Sequence, residues 1–136
     1  MSPSLLALLG FITWTLALLV LMELVRSKLV LTGTVSANEF NPENTNLSPF
    51  MQRLARAHAN CLEGLPVFGG LLLLAVVAGK AAVTDPLAVV LLGARVAQSL
   101  IHLWSTSPTA VTVRFTAFAV QMAIGVYWAV RLYSLS

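Results

Sequence analysis

The sequence predicts an all-α integral membrane protein: one domain over residues 1–136, folded as a bundle of four transmembrane helices. Three observations predict it. Hydrophobic residues make up 58% of the chain and charged residues only 10%, where a soluble domain carries about a quarter charged. The mean hydropathy is +0.88. The apolar residues fall into four long segments, punctuated by Ser2-Pro3, Ser48-Pro49, Asp85-Pro86 and Ser107-Pro108. In each pair a capping oxygen precedes a proline, whose missing N–H is not needed in the first helical turn.

The first helix is expected from about Pro3 to about Leu31, with an apolar core Leu5–Met22, and Gly33 ends it. It lacks a basic n-region and its apolar stretch is long for a signal peptide, so it is expected to be retained. A polar connection follows, Thr34–Leu47, rich in Asn, Thr, Ser and Glu. The second helix starts near Pro49 and ends near Gly79. Lys80–Thr84 reads as a short turn, and the third helix runs from Pro86 to about Trp104. Ser105–Ser107 turns the chain again, and the fourth helix runs from Pro108 to about Tyr133.

Several classes of function are disfavoured. The formal net charge is only +3, with no basic run and no aromatic-basic interleaving, so nucleic acid is not an expected partner. Cys61 is the only cysteine, which rules out an internal disulfide. No GxGxxG, P-loop or HExxH occurs, and no metal site is expected. Orientation follows from Lys and Arg: Arg26, Lys28, Arg53 and Arg56 flank the first connection, against Lys80 and Arg131 on the other side. The positive-inside rule then puts the first and third connections in the cytoplasm and both termini outside.

The chemistry lies in polar stripes at helical spacing. Arg53, Arg56, Asn60 and Glu63 share a face of the second helix, and the apolar run Leu65–Ala78 beyond them spans only about two thirds of a bilayer's hydrocarbon. The helix must therefore draw Glu63, Asn60 and Arg56 toward lipid depth, where ionisable groups face a bundle interior or a wet cavity. Arg95, Gln98, Ser99 and His102 form a stripe on the third helix, and Arg114, Phe118, Gln121 and Gly125 on the fourth. Glu23 and Arg26 are neighbours on the first. Arg26, Arg56, His102 and Arg114 fall at the cytoplasmic ends of their helices. Together they suggest a cationic pocket open to the cytoplasm, its deeper wall made by Asn60, Glu63, Arg95 and Gln98. Plainer roles stand beside this one. Lys28 and Arg53 suit snorkelling to headgroups, Glu63 with Arg95 suits a structural ion pair, and Cys61 suits a small core hydrophobe. Arg114 is harder to assign a plain role, for no acidic residue lies within a turn of it.

Arg56-Ala-His-Ala-Asn60-Cys-Leu-Glu63, followed by Pro66-Val-Phe68, resembles the signature of the MAPEG family, the membrane-associated proteins of eicosanoid and glutathione metabolism. Arg95-Val-Ala-Gln-Ser-Leu-Ile-His102 resembles the family's third-helix segment, Val113-Arg114 the arginine early in its fourth, and Asn41-Pro42-Glu43 a feature of its first connection. The resemblance covers nearly the whole chain. It implies a homotrimer of four-helix subunits in the bacterial inner membrane or the endoplasmic reticulum, with glutathione bound as co-substrate between subunits near the cytoplasmic face. Arg26, Arg56, Asn60, Glu63, Arg95 and His102 would line that site, and Arg114 would activate the thiol. Guanidiniums with one carboxylate complement glutathione, which carries two carboxylates and an ammonium. The second substrate would be an apolar electrophile entering from the lipid. The chain departs from the family's prostaglandin synthases at Phe115, where they have Ser. It also has His102 and Phe118 where tyrosines often contact glutathione, and Ala59 where some members have Arg. These departures favour a general glutathione transferase, with possible peroxidase activity, over a prostaglandin isomerase. The alternative is a non-catalytic lipid-binding or partner-activating protein of the same fold.

Overall fold

The computed structural model describes every residue, Met1–Ser136. It is all-helical, with α1 (Pro3–Leu31), α2 (Pro49–Val77), α3 (Ala81–Trp104) and α4 (Pro108–Ser134), each long and apolar enough to cross a membrane. Three of the four serine- or aspartate-proline starts behave as the sequence predicts. The side chains of Ser2, Ser48 and Ser107 accept hydrogen bonds from the backbone N–H groups of Leu5, Met51 and Ala110. Gly33 closes α1 at φ +73° and Gly79 closes α2 at φ +68°, a conformation in which a Cβ would be strained.

The fourth start is a correction. Helix α3 begins at Ala81, so Lys80–Thr84 is not a turn and Asp85-Pro86 lies inside the helix. Asp85 does cap a helix, but a different one. Its Oδ1 accepts from the backbone N–H of Ser4 at 3.0 Å and from the Ser4 hydroxyl, which also meets Thr84 Oγ1 at 2.6 Å. The carboxylate thus sits at the N-terminal end of α1, where the helix dipole favours negative charge, and it fastens α1 to α3.

Within α2, residues Leu65–Gly69 widen into a π-helical turn around Pro66. Proline has no N–H to donate and its ring crowds the carbonyl four residues back, so the helix accommodates it by one wider turn. Pairing of the remaining elements follows the core. Phe11, Leu54, Leu72, Leu91 and Trp128 are essentially inaccessible and bring all four helices together. Helix α3 packs against each of the others. Helix α4 packs along α3 but meets α2 only at and beyond Leu65, and it touches neither α1 nor Pro49–Gly64. The first halves of α2 and α4 therefore stand apart at the end of the bundle that bears the first connection, here called the proximal end.

The first connection is pinned rather than loose. Asn44 is fully buried and left-handed, φ 56°, a conformation Asn tolerates better than most residues. Its Nδ2 donates to the Met51 carbonyl at 2.8 Å, and its Oδ1 accepts from Arg26 Nε at 3.0 Å. Arg53 does not snorkel: its Nε donates to the Leu103 carbonyl at 2.9 Å, satisfying one of the free carbonyls at the end of α3.

Candidate functional site

The gap between α2 and α4 is a cleft floored by α3. One wall carries Arg56, Asn60 and Glu63 and the other Arg114 and Phe118, while His102, Gln98 and Arg95 belong to the floor helix. Arg114 lies about 9 Å along the axis from Pro108, and Arg56 about 10 Å from Pro49, at 1.5 Å rise per residue. Among the arginines, only Arg26, Arg53 and Arg95 make hydrogen bonds through their guanidiniums. The single ion pair of the chain is Arg26 with Glu23, at 3.1 Å. Arg56, exposed, and Arg114, half-buried, are therefore cations without a partner. His102 is 3% exposed and lies within electrostatic reach of both. Its Nδ1 is sealed from solvent with no hydrogen-bond partner.

Deeper in the floor, Arg95 is completely buried. Its guanidinium lies 5.2 Å from the Phe11 ring and 5.9 Å from the Phe118 ring, contacts that stabilise a desolvated cation by about 2 kcal/mol each. Nη1 donates to the Asn60 carbonyl over a long 3.4 Å, while Nε and Nη2 have no partner. Room for this side chain comes from Gly64: a Cβ there would stand 2.6 Å from Nη2.

The expected pairing of Glu63 with Arg95 is not formed. Glu63 is exposed, at the middle of the span Pro49–Val77, with no hydrogen bond or ion pair. The reason is the rotation of α2. The face that meets α3 is Leu54, Ala57, Cys61, Gly64 and Phe68, all buried. Successive residues point about 100° apart, so Gly64 faces Arg95 and Glu63 turns away. Gln98 is likewise engaged in the core, where Gln121 Nε2 donates to its Oε1 at 2.8 Å. The Cys61 thiol meets the Ser99 hydroxyl at 3.1 Å, as suits a core cysteine.

Arg26 stands apart from the cleft. Besides Asn44, its guanidinium serves the Asn41 carbonyl at 3.1 Å and lies 5.5 Å from the Phe40 ring. Four of its five N–H donors are thereby used, and its work is to hold the first connection. The structure therefore puts Arg56 and Arg114 within electrostatic reach of His102, places Asn60 and Arg95 deeper, and turns Glu63 away from Arg95 toward the rim of the cleft. Gly64 and Asn44 escaped the sequence reading. The first is a helical glycine whose space is used by a residue distant in sequence, and the second adjoins the Asn41-Pro42-Glu43 segment.

Apolar space adjoins the polar wall. Asn60, Glu63, Gly64 and Phe118 line a hollow of about 220 Å³. Through Val67, Phe68 and Met122 it continues into a groove of about 590 Å³ toward Leu74 and Ala129. Phe68 stands edge-on to Phe118 at 6.5 Å and closes the junction.

Fold and cleft together define a multi-helix integral membrane protein with an unneutralised cationic cleft beside an apolar groove. The family model for the MAPEG family matches residues 4–134, and the chain belongs to that family, membrane proteins of eicosanoid and glutathione metabolism. Comparison with curated proteins and with solved structures gives no match.

Proposed function

We propose that this protein is a glutathione transferase of the membrane, joining glutathione to lipophilic electrophiles. The observation that carries the reading is the pair of unpartnered guanidiniums, Arg56 and Arg114, on the two helices that flank one cleft, neither of them held in an ion pair. A dianionic peptide with one thiol answers that charge. Arg56 would hold a carboxylate and Arg114 the sulfur, while the electrophile approaches along the apolar groove from the lipid. An arginine beside a thiol favours the thiolate, the nucleophilic form. The cleft would face the cytoplasm, where Lys and Arg are in excess.

The reading includes a homotrimer. Glu63 is exposed at mid-span in one copy, and a carboxylate against hydrocarbon is costly enough that a second subunit is expected to cover it. The functional test is glutathione binding to detergent-purified protein, followed by conjugation of a generic aryl halide. Binding with turnover supports the transferase. A second reading, a non-catalytic lipid-binding protein of the same fold, is favoured by the size of the 590 Å³ groove and by Phe115 and Phe118 standing where hydroxyl helpers would be. Lipid binding without glutathione binding would select it.

A further inference from the structure

The end of the bundle away from the cleft holds a second polar hollow, which the transferase reading does not use. It lies between the start of α3 and the end of α4 and measures about 320 Å³. Ala82, Val83, Pro86 and Leu87 form one wall, and Tyr127 and Arg131 stand on the other. Arg131 is about 26 Å along α4 from Arg114, at 1.5 Å per residue, so it belongs to the opposite end of the span.

An arginine near a helix end commonly just reaches for water. The surroundings of Arg131 are more specific than that. It forms no ion pair, and the one side chain bonded to it, Ser134, takes only its backbone carbonyl. The Tyr127 hydroxyl, one turn deeper on the same face, also has no partner. Across the hollow, Pro86 lies inside α3 and has no N–H to return to the Ala82 carbonyl. That carbonyl loses its usual partner beside two free donors, yet neither donor takes it. No carboxylate lines the hollow. Asp85, the only acidic side chain at this end, is held by Ser4 on the α1 side. The hollow also opens outward, for Ala82, Pro86, Tyr127 and Arg131 are all exposed on helices that span the membrane. Arg131 is in the last turn of α4, at headgroup depth, while Val83 and Leu87 lead inward along the α3–α4 seam.

These features fit one occupant. A phosphodiester accepts two parallel bonds from a guanidinium and a third from a phenol. A choline ammonium would find no carboxylate here, whereas a headgroup hydroxyl can donate to the Ala82 carbonyl. A soluble anion would leave the apolar wall unused. We propose that this hollow binds the headgroup of an anionic membrane phospholipid, its phosphate on Arg131 and Tyr127 and an acyl chain along the α3–α4 seam. The lipid bridges the two helices, and the inference is independent of the transferase reading.

Native mass spectrometry of the detergent-purified protein is the test. Phosphatidylglycerol is the probe, and phosphatidylcholine with the same acyl chains is the comparison. The wild type should hold one phosphatidylglycerol per chain at least about tenfold more tightly than phosphatidylcholine, as charged hydrogen bonds allow. Arg131→Gln should lose that preference. Arg131→Lys, a point charge in place of a fork, should keep part of it. Lys28→Gln removes an exposed cation at the other end and should leave the tight lipid in place. Should Arg131→Gln fail to fold, Tyr127→Phe removes a single oxygen and should weaken retention about threefold or more. Equal retention of both lipids by the wild type, or undiminished phosphatidylglycerol retention in Arg131→Gln, would overturn the proposal. So would displacement of the lipid by an equal concentration of inorganic phosphate, which would make the hollow a site for a free anion. Loss of an oligomer in Arg131→Gln with the lipid count per chain unchanged would make a second copy of the chain the occupant, and would overturn it too.

Discussion

Gly64→Ala should be destabilising for one identifiable reason. The new methyl would stand 2.6 Å from Arg95 Nη2 and 3.3 Å from its Cζ. Ordinary contact begins near about 3.5 Å, so the guanidinium must move by roughly 1 Å. It cannot move freely, because Phe11 flanks it and the Phe11 ring edge is itself 3.5 Å from the same Cβ position. Overpacking of this kind costs about 1–3 kcal/mol. At roughly 4 °C per kcal/mol for a chain of this length, thermal unfolding in detergent should fall by about 4–12 °C. Tryptophan fluorescence is a suitable probe, since Trp128 is fully buried. The decisive comparison is the same substitution in an Arg95→Leu background. Leucine ends short of the clash, so Gly64→Ala should there cost less than about 1 kcal/mol, a non-additivity expected only of residues in contact. Equal losses in both backgrounds would refute the steric account and point to the backbone of α2 instead.

Three further outcomes are expected. A guanidinium about 4 Å from a thiolate contributes between about 1 kcal/mol in water and 4 kcal/mol at an effective dielectric of 20. Arg114→Ala should therefore raise the pKa of bound glutathione by about 1–3 units, read from thiolate absorbance against pH, and lower kcat far more than affinity. An unchanged titration would remove Arg114 from the chemistry, and Arg114→Lys should recover only part of the rate. Glu63→Gln should weaken glutathione binding at least about tenfold if the carboxylate meets the ammonium. Calorimetry on correctly assembled protein decides, and unchanged affinity would leave Glu63 a role in assembly alone. Asn44→Ala should destabilise by about 1 kcal/mol more than Asn44→Gly, since both lose the clamp on Arg26 but only alanine pays the left-handed strain; equal midpoints in thermal unfolding would contradict this.

Helix number, span and three of the four caps were legible in the sequence because Ser-Pro starts and long apolar runs are local signals. The α3 start was not, because the Asp85 carboxylate serves Ser4, some eighty residues away, and nothing local distinguishes a cap for one's own helix from a cap for a neighbour. Likewise the polar face of α2 was legible, but which face packs on α3 was not. The small residues Ala57, Cys61 and Gly64 decide that by allowing close approach. Glu63 is turned outward as a result, and the ion pair that the sequence allowed with Arg95 does not form. Arg26 and Arg53 show the same limit. Both looked like groups for ligand or lipid, and both are satisfied by carbonyl and carboxamide oxygens that only the folded chain supplies.

The meeting of α2 and α4 only beyond Leu65 has a mechanical consequence. The two helices behave as the arms of a pair of tweezers, and the Phe68–Gly125 contact is the fulcrum. A Cβ added at Gly125 would press on Phe68 at 3.0 Å. Pro108 lies about 25 Å along α4 from Gly125, at 1.5 Å per residue. A few tenths of an ångström forced in at the fulcrum, if α4 pivots as a rigid rod, grows along the arm toward Pro108, and Arg114, about 16 Å from Gly125, moves with it. The separation of Arg56 and Arg114 thus responds to a glycine of the apolar groove, and a single methyl at that point retunes the jaw opening while leaving every polar side chain of the cleft unchanged.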